Sequence, residues 1–232
     1  MANLIAIVGP SGSGKSTSIM PNIEAEIKGL SPEETVIINV SNKPLPIKGG
    51  NRIFPVGKIA DGGRQVLTSD ANVISAIIRQ VDEKHPEIKN LVIDDAGYLQ
   101  SFVFMDKVRD KGYDKFNEIA EAAYKPIKAA KEVKRADLNI IFIYHEDESA
   151  DGSKEIKSSG KMVKQYITLE GMFTVVLFAK SVYDIIGKKI NYSFVTNSDG
   201  RNTAKSPIGM FKSLEIPNDM GTILKTVNEY YN

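Results

Sequence analysis

The chain has no cysteine, only two histidines and a formal net charge of +1 at pH 7 over 232 residues. Without cysteine there is no disulfide, thiolate metal site or cysteine nucleophile, which suits a reducing compartment. A nearly balanced charge gives no global field to draw in nucleic acid, so any polyanion site has to be local. No apolar run approaches the length of a membrane span, and residues 1–3 lead into the first apolar run without a signal-peptide pattern. The expectation is a cytoplasmic protein that does not engage membranes. Hydrophobic residues at 42% and charged residues at 25% are ordinary for a globular domain. The length allows one α/β domain with a large core and is too short for two comfortable ones, so residues 1–232 read as a single domain without internal repeats.

What the chain does have is a phosphate-binding motif. Gly9, Pro10, Ser11, Gly12, Ser13, Gly14, Lys15, Ser16 and Thr17 complete the Walker A pattern G-x-x-x-x-G-K-[ST], directly after the apolar run at residues 4–8. A triphosphate needs a backbone that turns its N–H groups inward, and Gly9, Gly12 and Gly14 can take dihedrals that a Cβ would forbid. Lys15 adds a point charge for the β- and γ-phosphates. The Ser16 hydroxyl can ligate Mg²⁺, and Thr17 is expected to open a helix whose N-terminal dipole favours the phosphates. A Gly/Ser-rich turn joining strand to helix is the plain alternative. The motif's placement after a strand favours ATP and Mg²⁺ as ligands.

Around the motif, strands and helices alternate. Strands are expected at residues 3–8, 35–40, 91–93 and 138–144. Pro21 should interrupt or kink the first helix, because proline lacks the amide that a helix interior needs. Residues 41–64 hold Pro44, Pro46, Pro55 and several glycines and read as an irregular excursion. Val73, Ile74, Ile77, Ile78 and Val81 mark the apolar face of a helix with Asp70 as cap, and a further helix is expected over 113–133. Residues 173–179 and 190–196 should form a hairpin about Gly187-Lys188, and 220–231 a closing amphipathic helix. The pattern predicts a mostly parallel central sheet with helices on both faces and an antiparallel C-terminal extension.

Several residues then fall where chemistry belongs. Asp94 ends an apolar strand, the position of a Walker B aspartate that holds Mg²⁺ beside Ser16, although a strand-terminal aspartate can also cap the next helix. Asp95 is a candidate for orienting the attacking water, with helix capping again the alternative. His145 follows the strand at 138–144 and could hydrogen-bond the γ-phosphate as a sensor; a surface histidine at a strand end is the plainer reading. Residues 147–164 carry Lys154, Lys157, Lys161 and Lys164 and read as a mobile basic loop, either touching a nucleic-acid backbone or solvated. Arg201 and Lys205, in a polar turn, form a cationic pair. Such a pair can reach a neighbouring subunit's nucleotide and stabilise charge on its γ-phosphate, or can be ordinary surface charge.

Taken together, GPSGSGKST after a strand, LVIDD, IFIYH and RNTAKSPIGMF resemble the RecA-like P-loop ATPases of bacteriophages, the group that includes single-strand annealing proteins. SNKPLPIKGG and EIPNDMGTILKTVNEYY look like features of phage AAA-type ATPases. The resemblance covers most of the chain. It implies a RecA-like core, ATP hydrolysis, a homo-oligomer, and single-stranded DNA as partner, with single-strand-binding or replication proteins nearby. By position it makes Gly9 to Thr17 the ATP loop, Asp94 the magnesium residue, His145 the sensor, and the segment after His145 a DNA-contacting loop. The chain departs from that pattern where RecA-like recombinases keep a catalytic glutamate, at the end of the second strand; it has Asn39, Ser41 and Asn42 there. Either Asp95 substitutes or hydrolysis is slow, as in a nucleotide-dependent assembly switch. A nucleotide or small-molecule kinase uses the same loop, but such enzymes close an arginine-rich lid over the phosphates. The six arginines here are scattered singly.

Overall fold

Strands β1 (Asn3–Gly9), β2 (Thr35–Asn39) and β4 (Asn90–Asp94) are almost wholly buried. Such continuous apolar runs belong to a parallel sheet covered on both faces. The computed structural model describes residues 1–24, 26–159 and 167–231. Between these strands lie α1 (Gly50–Ile53), β3 (Gln65–Leu67) and α2 (Ala71–Lys84). After β4 come α3 (Tyr98–Asp106), α4 (Asp114–Lys131), β5 (Asn139–Glu148) and β6 (Lys154–Ile156), then β7 (Val175–Asp184), β8 (Lys189–Val195), β9 (Glu215–Pro217) and α5 (Met220–Tyr231).

Among the described residues these strands form one nine-stranded sheet of order β3-β2-β4-β5-β1-β7-β8-β9, with β6 paired to β5. The run from β3 to β7 is parallel, and β6, β8 and β9 are antiparallel additions. This is the mixed, mostly parallel α/β architecture of a P-loop NTPase. One core layer packs Ile74, Ile78, Leu99 and Ile127 from α2, α3 and α4 against Ala6, Val8, Ile93 and Phe142. The opposite layer packs Met220, Ile223 and Val227 of α5 against Ile5, Ile7, Val92 and Ile143. Among the described residues no helix is long and apolar enough to cross a membrane.

A polar ladder fixes the register. Asn3 donates to Asn139 Oδ1 at 2.9 Å, Asn139 to Asn90 Oδ1 at 3.1 Å, and Asn90 to Thr35 Oγ1 at 3.2 Å. The ladder lies across the N-terminal ends of β1, β5, β4 and β2. It therefore aligns their carboxyl ends, placing Gly9 beside His145 and Asn39 beside Asp94. A one-residue slip would turn every apolar side chain to the wrong face.

The hairpin of β7 and β8 and the closing helix fall where the sequence places them, and Asp70 caps α2 by accepting from the Asn72 and Val73 amides. Elsewhere the sequence reading is corrected. Among the described residues no α-helix directly follows the phosphate loop, where the 3₁₀ turn Thr17–Ile19 forms instead. Met20, the residue before Pro21, is extended at φ −94° and ψ 131°, because proline disfavours helical geometry in its predecessor. The expected support of the phosphates by a long helix dipole is therefore absent, since a single turn sums too few peptide dipoles. Helix α3 was not foreseen, and neither was the short edge strand β3. The loop expected at 147–164 is in part a hairpin: β5 continues to Glu148 and β6 returns against it. Lys161 and Lys164 lie outside the described residues.

Candidate nucleotide site

The loop at Gly9–Thr17 leaves the carboxyl end of β1, where open α/β sheets bind ligands. Gly12 and Gly14 take φ of 77° and 86°, a left-handed region in which a side chain is strained. Ser13 Oγ donates to the Pro10 carbonyl at 2.8 Å, and Ser18 Oγ to the Lys15 carbonyl at 2.6 Å, closing the loop on itself. The Lys15 ammonium donates to the carbonyls of Gly9 at 2.8 Å and Pro10 at 2.6 Å. Burial pulls its pKa down to about 8, against the opposing fields of Asp95 and Asp94. A desolvated cation hydrogen-bonded to neutral carbonyls is poised to accept an anion.

Ser16 Oγ donates to Asp94 Oδ1 at 2.9 Å, so the two oxygens expected to share a cation are already together. Burial and the neighbouring Asp95 charge push the Asp94 carboxyl up to about 6, although Ser16, Lys43 and Lys15 pull the other way. The donor set fits Mg²⁺, which takes hard oxygen ligands, usually one or two from the protein, with water and phosphate completing the shell.

Asp95 has a different environment. It takes a left-handed φ of 62°, which aspartate tolerates better than most residues, and so turns its carboxylate away from that of Asp94. Oδ2 accepts from Ser41 Oγ at 2.8 Å and lies 2.5 Å from Lys43 Nζ, while Oδ1 lies 3.4 Å from His145 Nε2. Burial opposes its ionisation, but the His145 ring, Lys43 and Ser41 outweigh that and hold the carboxyl well below the usual range. Neither aspartate serves as the cap of α3: that position is Gly97, and the aspartate side chains turn to the contacts just given.

His145 Nε2 is buried, and its contact with Asp95 Oδ1, at 3.4 Å, is too long or poorly aligned for a full hydrogen bond. Its ring is held by the edge-to-face contact with Tyr98, at 5.7 Å between centroids. A cavity of about 430 Å³ opens beside it, lined among others by Pro10, Ser11, Tyr98, Glu146 and Lys157.

The structure thus brings Lys15, Ser16, Asp94, Asp95 and His145 together at the end of three adjacent strands. Arg201 and Lys205 stand apart from this cluster. Their segment runs beside β6 at Asn202 and beside β7 at Lys205, where it pairs with Val176. Arg201 is exposed and Lys205 half-buried, with burial lowering the Lys205 pKa against the pull of Glu170. Lys154 is bound at 2.6 Å to Glu148, and among the described residues of that segment Lys157 is the lysine that lines the cavity. The sequence reading missed Lys43, Tyr98 and the part that Ser41 plays. Ser41 and Lys43 lie just past the end of β2, next to the Asp94 strand, and the rule that ligands bind beyond the carboxyl ends of strands would have singled them out.

A family model described as an AAA domain matches residues 1–208 of the chain. No curated protein matches it.

Proposed function

Because this chain belongs to that AAA-domain family, and with it to nucleotide-binding ATPases, we propose that it is a Mg²⁺-dependent ATPase acting on single-stranded DNA in annealing, recombination or replication. One observation carries the reading: a preformed Ser16–Asp94 oxygen pair beside a buried Lys15, with the buried His145 Nε2 held 3.4 Å from Asp95 Oδ1 in the same cluster. The β- and γ-phosphates take over Lys15 from the Gly9 and Pro10 carbonyls, and the loop amides hold the remaining oxygens. Magnesium bound at Ser16 and Asp94 would neutralise charge on the phosphate oxygens. His145 donates to the γ-phosphate and so registers its loss. Asp95, held strongly acidic, is a poor proton acceptor and a good fixed dipole; its task is to orient the water and the His145 ring.

The single-stranded DNA partner rests on the resemblance of the motifs and on Lys157 beside the γ-phosphate side of the loop. The same resemblance supports a homo-oligomer in which the exposed Arg201, with Lys205 behind it, completes a neighbour's site. A second reading, a nucleotide switch with slow hydrolysis, is favoured by one feature: both oxygens of Asp95 face Ser41, Lys43 and His145, so no carboxylate of the pair is free to act as a base.

ATP hydrolysis measured with Mg²⁺, with and without single-stranded DNA, tests these readings. Turnover should fall about 100-fold or more in Lys15→Ala, the scale for losing a preorganised charge at a transition state, and rise on DNA addition. Full turnover in Lys15→Ala would remove the assigned mechanism. Slow turnover indifferent to DNA would select the switch.

A further inference from the structure

The side of the phosphate loop away from Asp94 carries a second pair of groups. In the sheet, β4 and β5, which supply Asp94 and His145, lie on one side of β1, and β7, β8 and β9 lie on the other. Tyr192 of β8 and Asn218, just after β9, converge on Gly14 from that other side. A methyl group placed on Gly14 would stand 2.9 Å from Tyr192 Cδ1 and 3.2 Å from Asn218 Oδ1. Asn218 is only 4% exposed, and neither Oδ1 nor Nδ2 has a hydrogen-bond partner among the described residues. An unmade donor and acceptor on one buried amide cost stability and so call for a ligand. The neighbouring Asp219 shows what a satisfied side chain looks like here: it accepts from the Gly29 and Gly221 amides and the Thr222 hydroxyl, capping α5.

We propose that Tyr192 and Asn218 form the base subsite of the nucleotide, with the adenine ring stacked on Tyr192 and its donor–acceptor edge read by the Asn218 amide. The inference rests on the nucleotide reading above and adds the specificity element to it. A triphosphate whose γ end lies by Asp94 and His145 leaves its base on the β8 side of the loop. Tyr192 retains 38% exposure and stacks without base preference. The amide supplies preference: one N–H donor and one C=O acceptor match the adjacent N7 acceptor and N6–H donor of adenine, an edge on which guanine and hypoxanthine present two acceptors, N7 and O6. Tyr192 and Asn218 crowd the same point at Gly14, so the Tyr192 ring has to swing outward to admit the base. Its strand belongs to a hairpin whose distal half is exposed, which leaves room for that motion.

Calorimetric titration with ATP, inosine triphosphate and inorganic tripolyphosphate tests this. In inosine a carbonyl replaces the exocyclic amine, so wild type should bind ATP at least tenfold more tightly than inosine triphosphate. In Asn218→Leu that ratio should collapse to within about threefold, and in Tyr192→Ala both nucleotides should weaken by tenfold or more, with tripolyphosphate affinity unchanged in each. Asn218→Leu should melt no lower than wild type without nucleotide, because a structural asparagine would lose bonds and this one has none to lose. Photolabelling of wild type with 8-azido-ATP supplies a check that needs no variant: the label should fall on the peptide containing Tyr192. An unchanged ATP preference in Asn218→Leu, or label confined to other peptides, overturns the base subsite. Tripolyphosphate binding as tightly as ATP overturns it too, while leaving the phosphate loop intact. If neither ligand binds wild type, the nucleotide reading itself falls.

Discussion

Asp94 and Asp95 are adjacent in sequence and opposite in electrostatics. The backbone turn at Asp95 sends one carboxylate into the buried space beside Ser16 and the other to Lys43, Ser41 and His145. For Asp94 the consequence is a folded-state cost. Raising its pKa from 3.8 to about 6 corresponds to about 3 kcal/mol in favour of the protonated form. That cost is fully present above pH 6 and disappears as pH falls toward 4, where the carboxyl is protonated in both folded and unfolded chains. Asp94→Asn should therefore abolish hydrolysis yet stabilise the metal-free protein at pH 7 to 8, by about 1–3 kcal/mol. Denaturant melts in chelator should show the gain shrinking between pH 6 and pH 4. A variant less stable than wild type at pH 8 would mean that the buried charge is better compensated than its neighbours indicate. Asp94, Lys15 and the glycines were legible in the sequence because the motif fixes their spacing. Lys43 stands just past β2, where the strand-end rule points, but its partner Asp95 is distant in the chain; Asn218 meets Gly14 across the fold, and no local pattern marks that pairing.

Elements were legible where one local rule dominated. Helix α2 combines a repeating apolar face with an aspartate cap whose Oδ1 lies 2.7 Å from the Asn72 amide. Asp70→Ala should cost about 1 kcal/mol, read as a shift in urea midpoint. Specific ATPase activity should be unchanged, since the buried face of α2 packs into the core layer with Ile93 and Phe142 rather than against Lys15, Asp94 or Asp95. A loss of activity larger than the loss of folded protein would link α2 to the site. The turn after the phosphate loop was harder to read because two rules compete there: the Walker pattern calls for a helix, and Pro21 forbids one beyond Met20. Helix α3, YLQSFVFMD, is apolar nearly all round, so its periodicity does not separate it from a strand. Strand β3 has only three residues, and it forms because β2 offers it an edge.

At the scale of the whole molecule, the sheet gathers Lys15, Asp94 and His145 at one point and leaves Arg201 exposed in the segment beside β6. The β7–β8 arm extends beyond the core with Val182, Tyr183, Ile185, Ile186 and Ile190 all largely exposed, Ile186 at 96%. Tyr183 and Ile190 are cross-strand neighbours, with Ile185 and Ile186 in the turn beyond them, an apolar tip of the kind that suits a protein contact. In the proposed homo-oligomer a second copy covers it, and the neighbour's Arg201 faces the γ-phosphate. Such an arrangement makes hydrolysis a property of the assembly rather than of the chain. Specific ATPase activity should then rise with protein concentration over the range in which light scattering records assembly. Ile185→Ser with Ile186→Ser should move both curves together to higher concentration. Arg201→Ala should turn over slowly by itself and, mixed with wild type, should depress activity more than dilution accounts for, because each variant subunit silences a neighbour's intact loop. Activity linear in concentration, or a mixture that follows simple dilution, would place all the catalytic groups within one chain and return Arg201 to ordinary surface charge.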